Sequence, residues 1–174
     1  MTESPLRLYG DKILRQKIED VIFPRDDLKQ IVMSMLLIMY KEGGVGLAAN
    51  QVGISERIAV IDVKQEQNDE DQVILINPTI IKSEGEVDGN EGCLSLPGIH
   101  TPKKRAQYVE VESYTYDGEK VIIKGEDLLA VALQHEIDHL NGKLFIDDMP
   151  FIQHNMLATK LKRLARQNKK ERRK

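Results

Sequence analysis

Residues 127–141 are apolar on nearly every side, yet they carry His135-Glu136-Ile137-Asp138-His139. Leu128, Leu129, Val131, Ala132, Leu133, Ile137 and Leu140 cover most of the circumference of a helix drawn through them, and a helix apolar all round is a buried one. Gly142 is placed to end it. The segment therefore requires the rest of the chain to wrap around it. It also carries imidazoles and a carboxylate into the interior, where a polar group needs a partner. Residues four apart stand above one another on one helix face. His135 and His139 can thus share one metal ion, with Glu136 beside it. Without a third ligand, the alternative is a helix with two ordinary histidines.

What surrounds this helix reads as mostly strands. Residues 26–42 predict a first helix, with Asp26 or Asp27 as its cap, apolar residues Leu28, Ile31, Met35, Ile38 and Met39 at helical spacing, and Gly43-Gly44 as its end. Runs 58–63 and 73–76, rich in β-branched residues, predict strands joined by an exposed polar loop. A third strand is expected at 79–81, after Pro78. Residues 108–116 alternate, with Val109, Val111 and Ser113 on one face. Asp117-Gly118 then turns the chain into 121–123, a strong hairpin signal. After Pro150 a last helix is expected over 152–167. Hairpins in place of repeated βαβ units argue for an α+β fold, with antiparallel sheets packed around the buried helix and a C-terminal helix outside. One domain is expected, residues 1–150 forming the catalytic body and 151–174 a basic helix and tail belonging to it.

Charge is unevenly placed. The segment 160–174, with Lys160 and Lys174 at its ends, holds nine Lys/Arg and one Glu, a net of +8, against −3 for the whole chain. Such a tail favours a polyanion: nucleic acid, an anionic membrane or a ribonucleoprotein. A frayed, solvated helix end is the alternative. The start, Met1-Thr2-Glu3-Ser4-Pro5, lacks the basic and apolar regions of a secretory signal. The longest apolar stretch, residues 31–40, is too short to span a bilayer. A single cysteine excludes an internal disulfide, so cytoplasm is the expected location.

The search for a third ligand leads upstream. In common metallopeptidases the third ligand follows the paired histidines. Here His154, Asp147 and Asp148 follow, but none stands at a recognised offset, and position 145 is Phe. Before the helix lies Glu91-Gly92-Cys93-Leu94-Ser95. A thiolate is a good ligand for zinc or ferrous iron, although a lone cysteine is more often a small buried hydrophobe. A further segment, Gly44-Val45-Gly46-Leu47-Ala48-Ala49-Asn50-Gln51, combines flexible glycines and small residues with an amide able to donate two hydrogen bonds. Alone it is a tight connection.

Together the segments 44–51, 91–95 and 135–139 resemble the three signatures of the peptide deformylases, unbroken and in that family's order. The similarity extends over residues 5–150 and is to the bacterial type with a C-terminal helix. The resemblance implies an enzyme that removes the formyl group from the N-terminal formyl-methionine of new polypeptides. It implies Cys93, His135 and His139 as ligands of one divalent metal, usually Fe2+, with Zn2+, Ni2+ or Co2+ as substitutes. Glu136 would be the acid–base group, and the Gln51 amide and Leu94 backbone N–H would face the developing oxyanion. Val45, Leu128, Val131 and Ala132, with His135 as wall, would form a methionine pocket. Backbone around Val45, Gly46 and Gly92 would hold the substrate as an added strand. Asp138 would orient an imidazole, or else make a surface or capping contact. The basic helix would dock on the ribosome, and the chain is expected to act as a monomer.

His100 stands where some relatives carry arginine, and Gly89-Asn90 replaces bulkier or acidic residues. These differences bear on later substrate residues and not on the chemistry. A zinc endopeptidase is the rival reading, weakened by the missing downstream ligand. A ribosome- or RNA-binding module with a vestigial metal site is another, weakened by the presence of Gln51, Cys93 and Glu136 together.

Overall fold

The computed structural model describes residues 6–67 and 71–171. The start 1–5 and the basic residues Arg172, Arg173 and Lys174 lie outside the described residues. Helix α1 (Leu28–Lys41) is followed by β1 (Gly46–Ala48), β2 (Ile58–Ile61), β3 (Val73–Ile76), β4 (Thr79–Glu84), β5 (Val87–Gly92), β6 (His100–Arg105), β7 (Tyr108–Tyr114) and β8 (Lys120–Glu126). Helices α2 (Asp127–Leu140) and α3 (Phe151–Glu171) complete the order. All strand pairs are antiparallel, in three sheets ordered β1-β2-β3, β4-β7-β8 and β5-β6. This is the expected α+β architecture around α2.

β2 explains why the sheet β1-β2-β3 lies between two helices. Ile58, Ala59, Val60 and Ile61 are all fully buried. Alternate side chains leave opposite faces of a strand. Ile58 and Val60 pack with Val32, Met35, Leu36 and Met39 of α1. Ala59 and Ile61 pack with Ala130, Leu133, Ile137 and Leu140 of α2, joined there by Val109 and Val111 of β7. Each such aliphatic side chain, fully buried, stabilises the fold by roughly 1.5–3 kcal/mol. A third cluster joins Leu96, Ile99, Leu144, Phe145 and Ile146 to Leu161 and Leu164 of α3.

Several expectations need correction. Asp27 occupies the N-cap position of α1 without a side-chain cap bond, because its carboxylate pairs with Arg25. Helix α2 is not buried all round: Leu128 is 55% exposed. Helix α3 begins one residue earlier than expected and runs four residues further. Strands β1, β5 and β6 carry no apolar alternation that would predict them. The hairpin at Asp117-Gly118 is present, with Gly118 at φ +83 and β7 paired to β8 from Tyr114↔Lys120.

Candidate metal centre and catalytic site

Two parts of the chain deliver the three donor atoms. Helix α2 supplies His135 and His139, and the segment just after β5 supplies Cys93. One ligand atom from each lies within 4.8 Å of the other two. Cys93 Sγ and His139 Nε2 are 3.1 Å apart. Donors bound at 2.0–2.3 Å on a tetrahedron stand about 3–4 Å from one another, so sulfur and two imidazoles fit a single divalent cation. His139 Nδ1 is itself buried, with no hydrogen-bond partner among the described residues.

Each imidazole has a different setting. His135 Nδ1 donates to Glu91 Oε2 at 2.8 Å, which leaves its Nε2 for the cluster. Burial pushes His135 down, but its bonds to Cys93 and Glu91 outweigh this and hold it well above its ordinary range. His139 is driven well below that range by burial and by the charge of His135. The His139 carbonyl accepts from Asn50 Nδ2 at 2.6 Å, which pins this end of α2 to the Ala49–Val52 turn.

Glu136 lies on the same helix, 4% exposed. Its Oε1 sits against the backbone of Gly46, where a Cβ would come within 2.4 Å. Only glycine permits that approach. Oε2 is buried without a hydrogen-bond partner among the described residues. Burial raises the Glu136 carboxyl to about 7, against the opposing charge of His135. A carboxyl so placed exchanges protons readily near neutral pH.

Gln51 is fixed from both ends. Its Oε1 accepts from the Ala48 N–H at 2.8 Å. Its Nε2 therefore points inward, donating to Ser95 Oγ at 3.2 Å and facing Cys93 Sγ at 3.4 Å. Leu94 lies between Cys93 and Ser95, with its side chain against Gly44.

A cavity of about 480 Å³ opens over these groups. Its lining includes Gln51, Cys93, Leu94, His135 and Glu136, together with Val45, Gly46, Gly92, Leu128, Val131 and Ala132. His139 lies behind it at 1% exposure. One wall is β1, an edge strand of its sheet, whose outer side is paired by no strand among the described residues. His100 also lines the cavity, its ring against Gly92, and Asn90 stands beside it, whereas Gly89 lies further along β5 opposite Lys103.

Sequence reasoning missed the partner of His135. Asp138 is not that partner. Its Oδ2 accepts from Arg105 Nη1 at 2.6 Å, and Glu91 holds the imidazole instead. Glu91 belongs to the segment 91–95, and its position two residues before the cysteine is the signal that the sequence offers for it. Ser95 and Asn50 carry a like signal, being within 91–95 and 44–51, whereas Arg105 has none.

Sulfur and nitrogen donors beside a buried carboxylate of raised pKa, at the floor of one cavity, define a metal-dependent hydrolase. The chain belongs to the polypeptide deformylase family, whose model matches residues 4–155. A peptide deformylase of Pseudoalteromonas translucida is 41% identical over 158 residues, 91% of this chain and 93% of that protein. The crystal structure of the Plasmodium falciparum peptide deformylase matches with a TM-score of 0.88 at 38% identity, over 94% of this chain and 96% of that one. A peptide deformylase from Synechococcus elongatus, solved in complex with actinonin, matches with a TM-score of 0.84 at 38% identity, over 92% of this chain and 90% of that one. The family uses a single metal ion.

Proposed function

We propose that this enzyme hydrolyses the N-formyl group from the formyl-methionine that begins newly synthesised polypeptides, releasing formate. The observation that carries the reading is the meeting of Cys93, His135 and His139 with Glu136 and Gln51 at one cavity. Cys93, His135 and His139 would hold one divalent cation, Fe2+ by the resemblance to the family, with Zn2+, Ni2+ or Co2+ as substitutes. When bound, such a cation acts as a Lewis acid and makes water nucleophilic near neutral pH.

The protein's own groups do the rest. Glu136, raised to about 7, takes a proton from water and later gives it to the departing amine. Gln51 Nε2 and the Leu94 backbone N–H donate to the formyl oxygen as it gains charge. Removing one such donor typically costs about 3 kcal/mol of barrier, roughly a hundredfold or more in rate. Val45, Leu128, Val131 and Ala132 take the methionine side chain, with His135 as wall. Leu128, Val131, Ala132 and His135 follow the i, i+3, i+4, i+7 spacing of one helix face. The outer edge of β1 at Val45–Gly46 and the backbone at Gly92 hold the substrate as an added strand. His100 and Asn90 lie where residues after the methionine would pass.

The enzyme is proposed to work in the cytoplasm as a monomeric single domain, with α3 joined to the body through Leu161 and Leu164. Exposed Lys162, Arg163, Arg166, Lys169 and Lys170 on α3 support docking on the ribosome. Among the described residues no helix is long and apolar enough to cross a membrane. The decisive assay supplies formyl-Met-Ala-Ser and the unformylated peptide side by side. Formate release with intact peptide bonds is expected. Internal cleavage would replace this reading with that of an endopeptidase.

A further inference from the structure

Behind the donor cluster, three charged side chains run outward from the imidazole of His135. Building on the metal-site reading above, we propose that Arg105 is a positioning residue that sets the geometry of the metal centre by locking Glu91 against His135.

Arg105 lies at the end of β6 and is 9% exposed. Its guanidinium engages two carboxylates at once. Nε donates to Glu91 Oε1 at 2.6 Å and Nη2 to Glu91 Oε2 at 3.0 Å. Nη1 donates to Asp138 Oδ2 at 2.6 Å. Glu91 Oε2 in turn receives His135 Nδ1–H at 2.8 Å. An acceptor on Nδ1 fixes the tautomer and leaves Nε2 as the donor toward a metal.

The placement of these residues gives the chain its consequence. Glu91 is in β5, two residues before Cys93, and Asp138 is in α2, between His135 and His139. Arg105 therefore ties the strand that presents the thiol to the helix that presents both imidazoles. The register of β5 with β6, in which Glu91 faces Thr101 and Val87 faces Arg105, brings the arginine side chain back along the hairpin. Burial pushes Glu91 up, yet its bonds to His135 and Arg105 outweigh this and hold it at about 2. With Arg105 gone, the buried Glu91 carboxylate would keep the His135 imidazole but lose the guanidinium that holds both of its oxygens, and a buried charge so depleted relocates or recruits water. Lysine cannot substitute, because a point charge does not hold two carboxylates in a planar fork.

The test uses the full-length metal-free protein titrated with Co2+ under chelator competition, while the cobalt–thiolate absorption band is followed. R105M is expected to weaken Co2+ binding about 10–100-fold and to shift the band. K103A serves as the control, since Lys103 is on the same strand but pairs with Asp148 outside the chain of contacts. It is expected to change stability alone, with affinity and spectrum as in the unmodified protein. Should R105M fail to fold, R105K is measured and is also expected to bind Co2+ more weakly. Unmodified affinity and spectrum in whichever of these folds overturn the proposal while leaving the metal site intact. If C93A binds Co2+ as tightly as the unmodified protein, the metal-site reading fails with it.

Discussion

Helices α2 and α3 are separated by ten residues and differ in almost everything that burial controls. Helix α2 buries seven of its fourteen residues, including Glu136 and His139. Helix α3 buries Leu161, Leu164 and Asn168, while Phe151, Ile152 and Met156 in its first two turns are more than 70% exposed. Both carry ionisable groups, but α2 places Glu136 and His139 in the interior. Water screens the lysines and arginines of α3, whereas the interior moves Glu136 to about 7 and drives His135 and His139 in opposite directions. The same contrast separates reactive groups from a charged surface suited to docking.

The comparison is broken most directly at Glu136. Substituting E136A is expected to lower formate release by about 10²–10⁴-fold while the protein keeps its fold and its metal. Steady-state kinetics with metal analysis check this, and full activity would remove Glu136 from the proton-transfer role. Next comes packing. L133A, at a fully buried site on α2, is expected to cost about 2–5 kcal/mol in urea unfolding, against less than about 0.5 kcal/mol for M156A on the exposed face of α3. Equal losses would mean that α3 is covered in solution.

A smaller effect concerns pH. Glu91 is held at about 2, below its ordinary 4.5. Its contribution to stability is complete above pH 4.5 and is lost as pH falls toward 2, because the unfolded chain takes up the proton first. Urea unfolding of the metal-free protein between pH 6 and 2.5 is expected to show this loss, and E91Q to flatten it. The smallest effect on chemistry is expected from α3. Deleting residues 160–174 would strip Leu161 and Leu164 from the core, so charge is better removed by substitution. Replacing Lys162, Arg163, Arg166 and Lys169 with glutamine should leave turnover of formyl-Met-Ala-Ser unchanged. Ribosome co-sedimentation should weaken and lose its steep salt dependence. Unchanged, salt-independent association would end the docking proposal.

Legibility followed burial and period. Helix α2 and strand β7 could be read because their apolar residues recur with the spacing of a helix or a strand. Val109, Val111 and Ser113 are fully buried as the alternation implied. The hairpin β5–β6 could not be read, because Val-Asp-Gly-Asn-Glu-Gly and His-Thr-Pro-Lys-Lys-Arg have mostly polar side chains and pair as an isolated two-stranded sheet. Strand β1 was too short, at three residues, to show a period. Leu128 belongs to the apolar surface of the helix and to the implied methionine pocket, and it stands exposed in the cavity lining rather than buried.

The sequence by itself determined the chemical inventory: a pair of histidines with a glutamate between them, one cysteine, and an amide after a run of small residues. Those follow from local spacing, which a helix or a turn converts directly into geometry. Only the tertiary structure decided that Glu91, 44 residues from His135, holds its imidazole, that Arg105 holds Glu91, and that Asp138 serves the arginine. Contacts between side chains so far apart in the chain depend on how β5, β6 and α2 pack, and no local period encodes that packing.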